Sequence, residues 1–170
     1  TELNRVFNNT QELISKISET VSNAIKTWVK TIFHEIAHII DFTQSGVLNI
    51  AKRERFDLLR SFSGQDVRNY ARDYGMTDRT EDFATVFEEY AKDTRALFEG
   101  DQERETPSYL LAQKSLIAAD VFSFVEGGIE KTLIFEIQDD GAVVATPVNI
   151  TRDDEGNITT IEGITLPEPS

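Results

Sequence analysis

The two histidines of this 170-residue chain lie four residues apart, in the segment His34-Glu35-Ile36-Ala37-His38. This is the H-E-x-x-H pattern, which in a helix projects two imidazoles and a carboxylate from one side. Because successive helical residues are rotated by about 100°, His34 and His38 lie about 40° apart. Two imidazoles at this spacing suit Zn²⁺, and a neighbouring carboxylate can accept a proton from a zinc-activated water. The pattern predicts one zinc ion per chain, with Glu35 as the general base.

The third zinc ligand must be a carboxylate, because the chain has no cysteine and no other histidine. The longer H-E-x-x-H-x-x-G-x-x-H motif is excluded, since Asp41 and Gln44 occupy the positions of its glycine and third histidine. Asp41, one turn beyond His38, is placed to accept a hydrogen bond from a ligand imidazole. The alternative for Asp41 is a solvated or helix-capping carboxylate.

Glu81 is the best candidate for the third ligand. It stands in the first turn of a predicted helix, and its face continues through Thr85 and Glu88, away from the apolar side chains. Glu88 and Asp82 are the alternative ligands. Without a metal, Glu81 would simply be a carboxylate favourably placed at a helix N-terminus.

Helices must position these residues. Apolar side chains recur at helical spacing from Leu3 to about Phe42, without Pro or Gly, which predicts one long helix or two stacked helices. Within it, the histidines are expected to face a cleft. The opposite face, expected to pack into the core, is apolar: Ile25, Val29, Ile32, Phe33, Ile36 and Ile40.

Further helices are predicted downstream. The spacing indicates helices at about 50–62, in a short part of 65–80, at 80–99 and from Pro107 to about Val125, with a charged loop at 101–106. After Gly127 and Gly128, strands are predicted at 132–137, 142–150 and 158–164, separated by hairpin turns. The sequence therefore predicts an α+β protein that is predominantly α. Residues 1–128 would form a helical domain, and residues 129–170 an acidic β-hairpin element.

The overall charge is strongly acidic, with 30 Asp and Glu against 17 Lys and Arg, a net −13. Such a chain lacks the basic surface that attracts phosphate backbones, so a nucleic-acid partner is not expected. No apolar run approaches the roughly 20 residues that span a bilayer, so no membrane span is expected in this chain. The oligomeric state is not indicated by the sequence.

Three blocks of the sequence together resemble a known family. They are Phe33 to Asp41, Asp73 to Thr77 and Glu81 to Phe87, and they read as H-E-x-x-H-x-x-D followed by Y-G-x-T-x-x-x-E-x-F-A. This combination resembles the catalytic domain of anthrax lethal factor and its bacterial relatives, which include the Pro-Pro endopeptidases. These are zinc metallopeptidases of the gluzincin type. The resemblance covers about residues 30–98.

The resemblance implies specific roles. The zinc ligands would be His34, His38 and Glu81, and Glu35 would be the general base. Tyr74, seven residues before Glu81, matches the family tyrosine that stabilises the oxyanion, and Tyr70 is the alternative. Position 85 is Thr, where relatives often have a glutamate. The implied activity is that of a zinc metalloendopeptidase that hydrolyses peptide bonds in a protein or peptide substrate.

The resemblance also implies a zincin-like core and a secreted or cell-surface location in a bacterium. In this family a β-sheet precedes the zinc helix, whereas only 33 residues, predicted to be helical, precede His34. Either upstream strands lie outside this chain or the cleft is built differently. Two other interpretations are a catalytically inactive zinc-binding or regulatory module of the same fold, and a structural domain in which the motif is accidental and binds no metal.

Overall fold

A computed structural model of the protein describes residues 1–42, 48–102, 104 and 107–169. Gln44, and residues 103, 105 and 106 of the predicted charged loop, lie outside the described residues. Five α-helices are described: α1 Glu2–Phe42, α2 Ile50–Ser63, α3 Arg79–Lys92, α4 Thr94–Glu99 and α5 Tyr109–Val121. Two 3₁₀ turns, Val67–Asn69 and Asp73–Met76, join α2 to α3.

Four strands follow the helices: β1 Phe124–Glu126, β2 Ile129–Ile137, β3 Val143–Arg152 and β4 Ile158–Ile161. They form one antiparallel sheet in the order β1-β2-β3-β4. The fold class is therefore confirmed as α+β and mostly helical. The predicted hairpins are present, and β4 ends at Ile161 rather than at Ile164.

Side-chain caps fix where the helices begin. The side chains of Asn49, Asp78 and Ser108 accept hydrogen bonds from backbone N–H groups in the first turns of α2, α3 and α5. Such caps satisfy donors that the helix itself leaves unpaired. Pro107, expected in the first turn of the last helix, instead precedes its Ser108 cap. The predicted helix in 65–80 is replaced by the two 3₁₀ turns.

The prediction of one helix over residues 80–99 is wrong, because the helix breaks at Asp93. This residue is extended (φ −162°, ψ 95°), and its side chain accepts a hydrogen bond from Ala96 N as the cap of α4. Its backbone bridges to Glu136 of β2. The sheet therefore competes with the helix for this residue, and the apolar spacing that continues to Leu97 belongs to two helices.

The predicted extension of the last helix to about Val125 is also wrong. Helix α5 ends at Val121, and residues Phe124–Glu126 form β1, which pairs with β2 across a tight turn. Gly127 and Gly128 form that turn with φ of 60° and 78°. Consecutive positive φ values suit a two-residue hairpin, and glycine adopts them without strain.

One hydrophobic core joins the helices and the sheet. Helix α1 packs mainly against α3, and α3 and α5 pack against β2. Buried residues of both the helical part and the strands meet there, including Phe87, Tyr90, Phe135 and Ile150. The division at residue 128 stays a prediction, and the core contacts and the β1–β2 pairing run across it.

The predicted orientation of α1 around the histidines is right only in part: Phe33 and Ile40 pack against the core as expected, whereas Ile32 and Ile36 do not. His34 is only 9% exposed and Ala37 is fully buried, whereas Ile32 and Ile36 are about 40% exposed. The histidine side of α1 therefore packs against α3, and part of the apolar face expected in the core is open. The histidines lie in the interface between two helices, because their partners come from α3. No strand precedes α1 among the described residues.

None of the helices in the described part of the chain is long and apolar enough to cross a membrane.

Candidate metal centre

The metal centre is built where the first turn of α3 meets the middle of α1. The Asp78 carboxylate accepts a hydrogen bond from Glu81 N at 3.0 Å, which starts α3 and places Glu81 in its first turn. His34 and His38 are one turn apart on the side of α1 that packs against α3. Two local features, a helix cap and an i, i+4 pair, therefore set the positions of three candidate ligands.

The three predicted ligands converge. Nε2 of His34 and Nε2 of His38 are 3.2 Å apart. The Glu81 carboxylate spans both, with Oε2 at 2.9 Å from His34 Nε2 and Oε1 at 3.2 Å from His38 Nε2. These atoms are metal-binding groups of the kinds that zinc prefers.

The spacing of these atoms fits a single small cation. Zinc lies about 2.0–2.1 Å from nitrogen and carboxylate ligands, so two ligands at a tetrahedral angle are about 3.3 Å apart. The observed separations are 2.9 to 3.2 Å. His34, His38 and Glu81 thus form a group that can hold a metal ion.

A second carboxylate orients the His34 ring. Oε1 of Glu88 lies 3.1 Å from Nδ1 of His34. A carboxylate accepts hydrogen bonds, so with a metal ion on Nε2 the Nδ1–H group of His34 would donate to Glu88. This is the carboxylate–histidine arrangement that supports metal ligands in proteins.

Two cations hold Glu88 in turn. Nη2 of Arg72 lies 2.7 Å from Oε1 of Glu88, and Nζ of Lys30 lies 3.9 Å from Oε2. The Glu88 side chain is nearly buried, and a buried charge requires compensating partners. The two cations and the imidazole of His34 are those partners.

The two alternative ligands therefore lie elsewhere. Glu88 contacts His34 at Nδ1, on the ring edge away from Glu81. Asp82 is fully buried and forms ion pairs at 2.9 Å with both Lys114 and Arg60. Burial raises the pKa of Asp82, and the two cations oppose that shift. Of the three carboxylates weighed from the sequence, Glu81 is the one that the structure brings to both histidines.

Tyr74 is the tyrosine that the structure brings near the histidines. Its ring is inclined by 30° to the His34 ring, with the centroids 6.2 Å apart, and half of its surface is exposed. Tyr70 is buried, and its hydroxyl donates a hydrogen bond to Gly64 O at 2.7 Å. Burial raises the pKa of Tyr70. The alternative residue is thus placed in the core, with its hydroxyl engaged there.

Glu35 and Asp41 lie on either side of the histidines along α1. Glu35 is exposed. Asp41 is buried, forms an ion pair with Arg79, and has Oδ1 3.9 Å from Nη2 of Arg53. These arginines anchor the C-terminal end of α1 to α2 and α3. The roles of Glu35 as general base and of Asp41 as a hydrogen-bond acceptor for a ligand imidazole stay predictions.

The position of Glu88 beside Nδ1 of His34, with Arg72 as its partner, was not predicted from the sequence. A signal was present, since Glu81 and Glu88 are seven residues apart and lie on one face of α3 two turns apart. Two carboxylates on that face can reach opposite edges of one imidazole, or they can be alternative ligands of one metal ion. The spacing alone does not distinguish these two arrangements. For Arg72 the sequence offers no comparable signal, because a 3₁₀ turn places it.

Comparisons with protein-family models, with curated proteins and with solved structures gave no significant match to this chain.

Proposed function

We propose that this chain is a zinc-dependent metalloendopeptidase with a zincin-like core. The observation that carries the proposal is the convergence of His34, His38 and Glu81, whose metal-binding atoms lie within 4.8 Å of one another. The H-E-x-x-H pattern and the family resemblance of the surrounding blocks support the same function. A secreted or cell-surface bacterial location is part of the proposal and rests on the resemblance.

Three residues would hold the zinc ion: His34 and His38 through Nε2, and Glu81 through its carboxylate. Bound zinc would polarise the scissile carbonyl and lower the pKa of a water molecule to about 7. Glu88, 3.1 Å from Nδ1 of His34, would accept the Nδ1 proton and leave Nε2 available as a ligand atom.

Two side chains would act on the substrate. The Glu35 carboxylate would accept a proton from the attacking water and deliver it to the leaving amine, a role that contributes roughly 10²- to 10⁴-fold in rate. The Tyr74 hydroxyl would donate a hydrogen bond to the oxyanion of the tetrahedral intermediate. Its half-exposed ring beside His34 is consistent with a group that faces the substrate.

Zinc content and peptide cleavage test the proposal together. We expect about one zinc per chain by plasma mass spectrometry in the wild type and in Glu35→Gln, and strong depletion in His38→Ala and Glu81→Ala. Circular dichroism would establish that the variants remain folded. No zinc in the reconstituted wild type would refute the metal site.

Cleavage of a peptide library separates an enzyme from a binding module. We expect the wild type to cleave and Glu35→Gln to lose at least about 10²-fold in rate while retaining its zinc. Zinc binding with no cleavage of any peptide by the wild type would instead support the catalytically inactive zinc-binding or regulatory module. Equal rates in the wild type and Glu35→Gln would contradict the role of Glu35.

A further inference from the structure

The N-terminal half of α1 stands away from the rest of the molecule. Helix α1 has 41 residues and is therefore about 60 Å long. Its described hydrogen bonds to other elements begin with Ser22 Oγ, which donates to Asp139 O at 2.6 Å, and Lys26 Nζ, which lies 2.6 Å from Asp139 Oδ1. Residues 1–21 are all exposed. Most of the stability of a helix in a protein comes from packing of its apolar face, so this exposed half of α1 needs a surface to pack against.

An apolar stripe runs along this helix with the spacing of a coiled coil. Six large apolar side chains, each more than half exposed, follow the heptad repeat: Leu3, Phe7, Ile14, Ile17, Val21 and Trp28. Steps of three and four residues keep one seam facing a partner helix over several turns. Thr10 and Ala24 occupy the remaining seam positions. We call these eight positions the heptad stripe.

The heptad stripe faces largely away from the core, and Ile14, Ile17 and Val21 also border a pocket with Asp139 and Asp140 of the turn between β2 and β3. At about 100° per residue, it is centred about 160° around α1 from Ala37, which is fully buried against the rest of the protein. A second helix can therefore lie along the stripe without displacing α3 from α1.

Charge indicates what kind of partner fits. Residues 2–28 carry three acidic and three basic side chains, so this segment is neutral in a chain of net charge −13. A neutral stripe does not repel a second copy of itself, whereas the rest of the protein would. It also lacks the excess of Lys and Arg with which amphipathic helices bind anionic lipid surfaces.

The exposed area matches what a dimer needs. The six large side chains of the heptad stripe, two of them aromatic, expose on the order of 800 Å² per copy. This is roughly what each partner contributes to a standard-size protein interface. Burial of a stripe of this size against its own copy produces a symmetric contact of the kind found in most homodimers.

We propose that two copies of this chain associate through the heptad stripe of α1 and form a homodimer. In this dimer the two α1 helices pack against each other along their heptad stripes. The rest of each chain lies on the opposite side of its own α1. The proposal does not depend on the metal centre.

Sedimentation velocity on the full chain tests the proposal with a matched pair of variants. Ile14→Lys places a charge in the heptad stripe, and Ser15→Lys places the same charge on the next residue, outside it. At 100 µM we expect the molar mass from sedimentation to be twice the 19.2-kDa chain mass for the wild type and Ser15→Lys. For Ile14→Lys we expect the mass of a monomer. Circular dichroism at the same concentration should show that Ile14→Lys remains folded, with helix lost only to the extent of the N-terminal part of α1 that no longer packs against a partner.

Several results would overturn the proposal. A wild type that stays monomeric at 100 µM would exclude the homodimer, and dimers of equal stability in both variants would place the interface on another face. A monomeric wild type that co-sediments with vesicles of phosphatidylcholine and phosphatidylserine would assign the heptad stripe to a lipid surface instead.

Discussion

The imidazole of His34 is held from both edges by α3, with Nδ1 at 3.1 Å from Glu88 Oε1 and Nε2 at 2.9 Å from Glu81 Oε2. Two carboxylates seven residues apart therefore have different relationships to one ring. Glu88 lies at the Nδ1 edge, where it would support a metal ligand, and Glu81 shares the Nε2 side with His38. This difference leads to a prediction that separates a ligand from the residue that positions it.

Glu88→Gln should weaken zinc binding without abolishing it. The amide keeps the shape of the side chain but loses the charge that increases the basicity of the His34 ring. Loss of such a partner typically lowers metal affinity about 10- to 100-fold. Competition with a chelator of known affinity measures the change.

Glu89→Gln is the matched control, because it removes the same charge from the next residue. The Glu89 carboxylate lies 3.0 Å from Lys30 Nζ, and its described ion pairs are with lysines. We expect the zinc affinity of Glu89→Gln to stay within about threefold of the wild-type affinity. This change is smaller than the roughly 10- to 100-fold loss that typically follows removal of a histidine's hydrogen-bond partner. Equal losses in both variants would show that the effect is general electrostatics and not orientation of His34.

The local geometry of the candidate site could be predicted from the sequence, whereas its surroundings could not. The His34–His38 pair depends only on the helical repeat, and Glu81 depends on a helix start that Asp78 marks. Which side of α1 packs inwards was not predictable, because apolar residues occur on two sides of that helix. Ile36 satisfies the spacing of a core residue but belongs to the open side.

The sequence also did not predict where helices end when the end depends on a residue far away in the chain. Helical spacing continues through Asp93, yet this residue is extended because it caps α4 and pairs with Glu136, 43 positions later. Similarly, Phe124–Glu126 becomes a strand because β2 lies beside it. The pattern of a single sequence reflects local preferences for helix or strand. Pairing with the sheet overrides those preferences at Asp93 and at Phe124–Glu126.

Gly75→Ala should destabilise the protein and disturb the turn that carries Tyr74. A Cβ at this position would lie 2.7 Å from Thr85 Oγ1 and 3.3 Å from Asp82 Cα, so both neighbours would have to move. Overpacking of this kind typically costs about 1–3 kcal/mol. Urea denaturation measures the loss of unfolding free energy.

The Thr85→Ala background provides the control for that change. Removal of Oγ1 removes the shorter of the two contacts, so Gly75→Ala should cost less there than in the wild type. Identical costs in both backgrounds would contradict steric contact with Thr85 as the cause.

Lys114→Met should destabilise the protein strongly. Lys114 is fully buried, its Nζ lies 2.9 Å from Asp82 Oδ2 and donates a hydrogen bond to Asn69 O, and burial lowers its pKa. Replacement with Met leaves Asp82 with Arg60 as its described ion-pair partner. Removal of one member of a buried ion pair typically costs about 3–5 kcal/mol.

The double variant Asp82→Asn/Lys114→Met tests that explanation. It removes the buried carboxylate charge that Lys114→Met leaves with Arg60 alone, so we expect it to be more stable than Lys114→Met in thermal and urea denaturation. A double variant no more stable than the single one would indicate that packing around Lys114, including its position 4.2 Å from the Tyr70 ring centroid, dominates its contribution.

Asp120 should make stability fall in acid. Although burial alone would raise its pKa, hydrogen bonds from Arg152 and Lys52 keep the pKa of Asp120 below its ordinary value. Arg152 donates to both carboxylate oxygens, at 3.0 and 3.2 Å, and so ties α5 to β3. Since the folded-state pKa lies below the unfolded value of about 3.9, this stabilisation is present above about pH 4 and is lost as pH falls through the folded pKa.

Asp120→Asn measures this contribution directly. At pH 6 we expect the variant to be less stable than the wild type by about 1.5–3 kcal/mol, the range for a hydrogen bond to a charged group. The difference should persist when urea denaturation is repeated at pH 4.5 and should shrink at pH 3, because the stabilisation by the Asp120 charge is lost only as the pH falls below about 4. Asp154→Asn, at an exposed turn residue, should differ little from the wild type at each pH. A constant difference between wild type and Asp120→Asn from pH 6 to pH 3 would mean that packing, and not the charge of Asp120, stabilises the junction of α2, α5 and β3.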